Sequence, residues 1–192
     1  MIETDRLMIR LAEPGEVPEI VRYYRENHDH LQPYSPTFGG EQVDEAAWRE
    51  QVIERHLELS RHESFRAFIF LRDAPRRIAG NINLTQVVRG AFQSCVLGYN
   101  LEESAQGRGY MTEAVRATVR FAFSDWKLHR VAASYMPRNV RSARVLERCG
   151  FRVEGTAPAY LRINGRWEDH VLTAVINPDW PQQAPATAGD DA

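Results

Sequence analysis

The sequence predicts a single α/β domain whose sheet is mixed and mostly antiparallel. Residues 65–101 form a run of apolar strands separated by short turns, which is typical of antiparallel pairing. Residues 97–122 pass from a strand through a glycine-containing loop into an amphipathic helix. A further strand, residues 130–136, follows that helix. Strands on both sides of a long helix indicate one layered α/β fold.

The N-terminal part of the chain predicts one strand and two helices. Residues 6–11 alternate between polar and apolar side chains, as a half-buried strand does. Apolar residues at helical spacing between 17 and 24 predict a short helix, and residues 32–40, rich in proline and glycine, predict a surface loop. Residues 43–60 predict a second helix. The side chains expected to turn towards a core are Trp48, Val52, Ile53 and Leu57.

The middle of the chain predicts three consecutive strands. Residues 65–71 are strongly apolar, and the turn at 73–76 joins them to a strand over 78–87 as a hairpin. The loop 88–92 then leads to a strand over 94–101. These strands complete an antiparallel run.

Length and charge limit the function classes. A chain of 192 residues suits one domain, which we expect over residues 1–180, with a disordered tail over 181–192. The formal net charge of −2 argues against general binding to nucleic acids or to acidic membranes. We find no signal peptide and no apolar run of membrane-spanning length, so we expect a cytoplasmic protein. The two cysteines, Cys95 and Cys149, have no metal-ligand spacing, and we expect buried thiols and no metal.

The loop before the long helix has the features of an anion site. Gly107 and Gly109 allow the backbone to approach a ligand closely, and the following helix N-terminus presents free N–H groups. A dinucleotide-binding fingerprint fails because Thr112 stands where the third glycine would be, and no P-loop lysine follows. The residues therefore predict a strand–loop–helix that binds a phosphate group, and a tight turn without a ligand is the alternative.

Two segments resemble the GNAT superfamily of N-acetyltransferases. Residues 104–109 resemble its acetyl-CoA loop, Gln/Arg-x-x-Gly-x-Gly/Ala, with serine in place of the first residue. Residues 139–151 resemble its Asn-x-x-Ser-x-x-x-Leu-x-x-x-Gly-Phe segment. The physics of that segment agrees, because Asn139 is a natural helix N-cap and Gly150 a natural stop.

Further residues resemble the ribosomal-protein acetyltransferases of the RimJ/RimL type. Residues 160–172 resemble the end of those proteins. Asn83 and residues 87–90 and 97–99 look most like the RimJ branch, which acetylates the N-terminal alanine of ribosomal protein S5. The resemblance covers residues 3–180. It implies transfer of the acetyl group of acetyl-CoA to the N-terminal α-amine of a protein by direct attack.

The resemblance also implies where acetyl-CoA binds. The fourth and fifth strands of the family diverge, here residues 96–101 and 130–136, and the pantetheine arm inserts between them. Helices are expected on both faces of the sheet. The residues expected to contact acetyl-CoA are Tyr99, Asn100, Leu101, Gln106, Gly107, Arg108, Gly109, Tyr110, Met111, Thr112, Asn139, Ser142 and Arg144.

The catalytic side chains are less evident. Related enzymes use a glutamate base and a tyrosine acid, whose positions correspond here to Ser134 and Leu146, so neither group is present. The resemblance implies Ser142 as the donor of a proton to the leaving thiolate, although a hydroxyl bonded to the helix backbone is the alternative. Candidates for the base or for orienting the amine are His170, Asp169, Tyr160 and Asn83. For His170, a hydrogen-bonded strand histidine is the alternative.

The acceptor leaves several hypotheses open. Tyr34 and Phe38 are expected to wall an acceptor peptide, and Asn83 to bind its backbone. A small amine such as an antibiotic or polyamine would require a closed acidic pocket, and a regulatory module would bind acetyl-CoA without turnover. The sequence is compatible with a monomer or a weak dimer. A basic cluster suits CoA phosphates, ribosomal RNA or a solvated helix face; its members are Arg138, Arg141, Arg144 and Arg148.

Overall fold

The structure, a computed structural model, describes residues 1–36 and 43–180 and has an eight-stranded sheet at its centre. The strands are β1 (Ile2–Glu3), β2 (Leu7–Arg10), β3 (Phe65–Leu71), β4 (Ala74–Val88), β5 (Ser94–Leu101), β6 (Arg130–Tyr135), β7 (Arg152–Ile163) and β8 (Arg166–Ile176). Their order is β1-β2-β3-β4-β5-β6-β8-β7, and only β5 and β6 pair in parallel. The predicted mixed, mostly antiparallel sheet is confirmed.

Helices cover both faces of this sheet, as expected. They are α1 (Val17–Glu26), α2 (His28–Leu31), α3 (Glu45–Ser60), α4 (Tyr110–Ser124) and α5 (Val140–Arg148). One core cluster joins α4 to the inward side chains of the central strands. A second cluster joins α1 and α3 to Phe68, Phe70 and Ile78 on the opposite face. Within the described residues, no helix has the length and apolarity needed to cross a membrane.

Two local expectations were wrong. In α3, Trp48 and Val52 are buried, but Ile53 and Leu57 are exposed. The reason is that α3 contacts the sheet along one narrow stripe, so residues one position beyond Val52 already turn outward. Strand β4 begins at Ala74 rather than at residue 78, because Ala74 pairs directly with Leu71 and makes the turn tighter than predicted.

The sheet opens in its middle, between β5 and β6. These strands pair only at Ser94 with Arg130, Cys95 with Val131, and Val96 with Ala132. Beyond that point β5 remains paired with β4 as far as Leu101, and β6 remains paired with β8 as far as Tyr135. Each strand is therefore held from its other edge while the two diverge. The expected splay is confirmed.

The carboxylate of Glu113, in the first turn of α4, ties the N-terminal segment to the glycine loop. It accepts hydrogen bonds from the Thr4 hydroxyl at 2.7 Å, from Arg6 N at 3.0 Å and from Arg6 Nε at 2.7 Å. Arg6 in turn donates from Nη1 to the carbonyl of Arg108 at 2.9 Å. Burial raises the pKa of Glu113, but the hydrogen bonds from Thr4 and Arg6 outweigh it and hold the pKa below its ordinary value of 4.5.

We expect Glu113→Gln to lower the free energy of unfolding at pH 7 by about 1–2 kcal/mol, because it removes charge-assisted hydrogen bonds. Because its pKa is lowered in the folded state, the carboxylate stabilises the fold at every pH above the ordinary pKa of a glutamate. This stabilisation disappears as the pH falls through the folded-state pKa. The difference between wild type and variant should therefore shrink between pH 5 and pH 3, to be measured by urea unfolding. Glu54→Gln, on the exposed face of α3, is the control and should change little.

Candidate active site

The splay leads into a cavity of about 820 Å³. On one side it is lined by the diverging part of β5, by β6 and by the start of α5. On the other side it is lined by α1, α3, β3 and β4. Tyr34, Val43 and Leu161 line its mouth and are each more than two-fifths exposed. The cavity therefore reaches solvent from the point where the strands diverge.

The glycine loop next to the cavity is shaped for a ligand. Gly107 has φ +76° and Gly109 has φ +80°, values that side chains rarely permit. A Cβ atom at Gly107 would meet nothing within 4 Å, so the loop faces free space. In the described part of the chain, the N–H groups of residues 107–109 donate to no protein acceptor. Together with the N-terminus of α4, they fit a pyrophosphate.

The neighbouring side chains hold this loop in place. The Arg6 guanidinium lies over the Tyr110 ring, 4.6 Å from its centroid. Gln106 Nε2 is 2.7 Å from Nε2 of His30 on α2, and its Oε1 accepts a hydrogen bond from Arg141 on α5. Gln106 thus connects the loop to two helices, α2 and α5.

The other residues predicted to contact the cofactor are divided among the core, the surface and the cavity lining. Leu101 and Met111 are buried in the core, so only their backbone could meet a ligand. Thr112 accepts a hydrogen bond from Cys149 Sγ through its carbonyl, at 3.5 Å. Arg144 is exposed on α5, whereas Asn100 lines the cavity and accepts a hydrogen bond from the Tyr23 hydroxyl at 2.6 Å.

Ser142 lines the cavity in the first turn of α5. Asn139 caps this helix, because its Oδ1 accepts the Ser142 N–H at 3.1 Å. The Ser142 hydroxyl lies 2.9 Å from the Tyr99 hydroxyl. Burial holds the pKa of Tyr99 well above its usual range, although the hydrogen bond with Ser142 opposes that shift. Tyr99 therefore keeps its proton at neutral pH and can donate it to the Ser142 carbonyl oxygen at 3.3 Å or to the Ser142 hydroxyl oxygen. When it donates to the hydroxyl oxygen, the serine O–H is free to donate elsewhere.

Of the three candidates on β7 and β8, only His170 reaches the cavity. Its ring is buried, and Nδ1 lies 2.9 Å from the carbonyl oxygen of Glu168. Because a carbonyl only accepts, Nδ1 carries the proton, and the lone pair of the neutral ring is on Nε2. Asp169 is exposed and accepts a hydrogen bond from Ala159 N at 2.8 Å, outside the cavity. Tyr160 is exposed, with its ring centroid 5.7 Å from that of His170.

Two of the three residues expected to contact the acceptor lie in the cavity lining. Tyr34 and Asn83 line the cavity, and Phe38 lies outside the described residues. Asn83 Nδ2 donates to Asn81 Oδ1 at 3.3 Å, and Asn81 Nδ2 donates to the Tyr24 hydroxyl at 2.9 Å. These amides form a polar row along one face of β4.

Sequence reasoning missed the other residues on the acceptor side. Those that line it and were not predicted include Tyr24, Trp48, Arg55, Arg66 and Gly98. Trp48 and Arg55 are seven residues apart, which places them on one helix face and is a signal that could have been used. Arg66 and Gly98 meet the cavity only through the pairing of three strands.

The charge of the lining is informative. Among the described lining residues there is no aspartate or glutamate, whereas Arg55, Arg66, His28 and His170 are basic. The described chain also has no group of three or more His, Cys, Asp or Glu side chains that could hold a metal ion. The cavity is therefore neutral to cationic.

Comparisons with known proteins agree with this geometry. The family described as the acetyltransferase (GNAT) domain matches residues 6–152. The chain is 38% identical over 181 residues to the ribosomal protein uS5 alanine N-acetyltransferase of Escherichia coli, covering 93% of this chain and 92% of that protein.

Solved structures give the same result. The ribosomal-protein-S5-alanine acetyltransferase of Vibrio fischeri has a TM-score of 0.88 at 33% identity, covering 94% of this chain and 98% of that one. Mycobacterium smegmatis RimJ, in complex with a CoA disulfide, has a TM-score of 0.83 at 27% identity, covering 92% and 84%. With the splayed strands and the glycine loop, these matches show that the chain belongs to the GNAT family as an acetyl-CoA-dependent N-acetyltransferase of the RimJ/RimL type.

Proposed function

We propose that this enzyme acetylates the N-terminal α-amine of a protein, with the alanine terminus of ribosomal protein S5 as the first candidate acceptor. The observation that carries the proposal is the acceptor side of the cavity, which reaches solvent between Tyr34, Val43 and Leu161 and has no described carboxylate in its lining. An extended peptide can enter such a mouth. The names of the E. coli and V. fischeri relatives supply the candidate acceptor, and action on a ribosomal protein would place the enzyme in the cytoplasm.

The lining argues against a polyamine acceptor. A polyamine carries several positive charges, and its pocket would need carboxylates to balance them. Arg55 and Arg66 would instead repel it. The α-amine of a protein has a pKa in solution near 7.7–8.0, so part of it is already neutral near pH 7. Only a weak base is then required.

The chemistry follows from groups at the splay. Acetyl-CoA supplies an activated thioester carbonyl. The glycine loop and the α4 N-terminus would hold its phosphates. Those residues expected to contact acetyl-CoA that line the cavity would lie along the rest of the bound molecule. The β5 backbone beyond Val96, near Asn100 or Leu101, offers N–H groups that stabilise negative charge developing on an oxygen.

Two side chains would move protons. His170 Nε2 takes a proton from the amine, directly or through water, because Nδ1 is bonded to Glu168. Ser142, supported by the Tyr99 hydroxyl, donates a proton to the departing thiolate. The positions of both in the lining favour turnover over a regulatory module that only binds acetyl-CoA.

The first test is acetyl transfer to matched synthetic peptides, followed by mass spectrometry. The panel contains an S5-type alanine terminus, serine and threonine termini, an α-blocked peptide with a free lysine, and spermidine. We expect modification of the alanine peptide at its α-amine and none of the blocked peptide. Transfer to spermidine alone would contradict a protein acceptor, and acetyl-CoA binding without transfer to any acceptor would favour the regulatory module.

We expect Gly107→Ala to weaken CoA binding at least tenfold, because its methyl group would occupy the space that faces the phosphates. Gly90→Ala is a matched control: Gly90 also has positive φ and open space within 4 Å of where a Cβ atom would lie, but it lies in the β4–β5 turn. Backbone strain should cost each variant about 1–2 kcal/mol of stability. Calorimetric titration with CoA measures the affinity of both variants. Equal affinities of Gly107→Ala and Gly90→Ala would contradict the assignment of the glycine loop as the phosphate-binding site.

We expect His170→Gln to lower kcat about 100-fold, because the amide cannot accept a proton as imidazole does. His56→Gln is the control, since His56 also bonds a backbone carbonyl, Ala12 O at 3.0 Å, but lies outside the cavity lining. Steady-state kinetics with the preferred peptide provide the measurement. An unchanged kcat in His170→Gln would leave the imidazole as a structural group.

A further inference from the structure

Two arginines lie together at the acceptor end of the cavity. Arg55, on α3, has its guanidinium carbon 4.6 Å from the Trp48 ring centroid and 5.5 Å from that of Phe68. Arg66, on β3, lies 3.3 Å from Glu58 through Nε. Both line the cavity, and neither is required by the glycine loop or by the proton-transfer groups.

The charges of this cluster do not balance. Two guanidinium groups face one carboxylate, that of Glu58, which also accepts a hydrogen bond from the Ser64 hydroxyl at 2.5 Å. Within the described chain, the buried Nε atom of Arg55 has no hydrogen-bond partner, whereas Arg66 Nε makes the ion pair with Glu58 at 3.3 Å. Burial also lowers the pKa of Arg55. A buried donor such as Arg55 Nε is stabilised by pairing with an anion, and the two arginines together carry one more positive charge than Glu58 balances.

The register of the sheet places this cluster at a defined distance from the splay. Arg66 on β3 pairs with Asn83 on β4, and Asn83 pairs with Gly98 on β5. Neighbouring strands are about 4.8 Å apart, so Arg66 lies about 10 Å across the sheet from Gly98. A Cβ atom at Gly98 would meet nothing within 4 Å, so the row of paired residues formed by Arg66, Asn83 and Gly98 is open at its Gly98 end.

An extended peptide covers that distance in about three residues, at roughly 3.4 Å per residue. If its amine lies in the splay beside Gly98, its third and fourth residues pass over Asn83 towards Arg66. The Asn83 and Asn81 amides lie along this path and can bind peptide groups. The side chain of the third or fourth residue is therefore within reach of both guanidinium groups.

We propose that Arg55 and Arg66 bind a carboxylate at the third or fourth residue of the acceptor, and so select acidic N-terminal sequences. This inference rests on the proposed function and adds a specificity site to it. The carboxylate balances the excess positive charge and accepts hydrogen bonds from the unpaired Arg55 Nε and from the solvent-exposed part of the Arg66 guanidinium. The two arginines act on recognition of the acceptor and not on the chemical step.

The test compares peptides that differ in one residue. Alanine-initiated peptides carry glutamate or glutamine at position 2, 3, 4, 5 or 6 in an otherwise neutral sequence, and kcat/KM is measured from thiol release. We expect glutamate at position 3 or 4 to raise kcat/KM about tenfold over glutamine, equivalent to about 1.4 kcal/mol. Lysine at the same position should lower it below the glutamine value.

Variants assign the effect to the cluster. Arg55→Gln and Arg66→Gln should each reduce the preference for glutamate, and the double variant should abolish it while the glutamine peptide keeps its kcat. Arg120→Gln, exposed on α4 on the opposite side of the sheet, is the control and should retain the full preference. Circular dichroism and titration with CoA establish that each variant is folded and binds the cosubstrate.

The outcomes separate this inference from the proposed function. Transfer to no peptide, with CoA binding intact, would overturn the proposed function. Transfer with equal kcat/KM for glutamate and glutamine at every position would overturn the carboxylate site alone. A preference confined to position 2, 5 or 6, or one that survives in the double variant, would also overturn the assignment to Arg55 and Arg66.

Discussion

The loss of hydrogen bonding between β5 and β6 after Val96 is the constraint on which the rest of the structure depends. An opening in the middle of a sheet leaves backbone N–H and C=O groups without strand partners, which is costly unless a ligand or water replaces them. The fold limits this cost by holding β5 on β4 and β6 on β8. The unpaired groups thereby become part of the binding site, because a cosubstrate arm placed there can take over the hydrogen bonds that the missing pairing would have made.

The surroundings of the opening divide the site into two ends with similar electrostatics. The loop at residues 107–109 and the α4 N-terminus present N–H groups to one end. Arg55 and Arg66 lie at the other end. Both ends thus suit negative charge, and apart from the two histidines, His28 and His170, the other side chains described in the lining are uncharged.

The sequence could predict those parts of the site that depend on local structure. Glycines at 107 and 109 and the Asn139 cap are tied to backbone conformations within a few residues, and they lie where expected. The divergence of β5 from β6 was implied by resemblance, and no residue pattern in the sequence shows that their parallel pairing ends at Val96. The burial of α3 was predicted only in part, because the width of its contact stripe is a tertiary property.

The acceptor side could not be predicted because it depends on register. Arg66, Asn83 and Gly98 are separated by 15 or more residues and share one row only through two strand pairings. Which side chains of the β7–β8 hairpin face the cavity also could not be predicted. Register shifts in β7 and the positive φ of Ala159 interrupt its alternation, so the sequence could not tell that His170 faces the cavity while Asp169 faces away.

The described lining of the cavity contains two arginines and no carboxylate, and these two features are physically connected. A glutamate close to the amine would stabilise its ammonium form and would also pair with the nearest guanidinium, which would neutralise the anion site. With His170 as the proposed base, both effects are avoided, because an imidazole whose Nδ1 is bonded to the Glu168 carbonyl offers Nε2 as a proton acceptor and has no negative charge to attract Arg55 or Arg66. A cationic acceptor site and a neutral base are thus compatible in one cavity, whereas a cationic acceptor site and a carboxylate base would compete. On this view Ser134, which stands on β6 where related enzymes have glutamate, is consistent with the acceptor site opposite it.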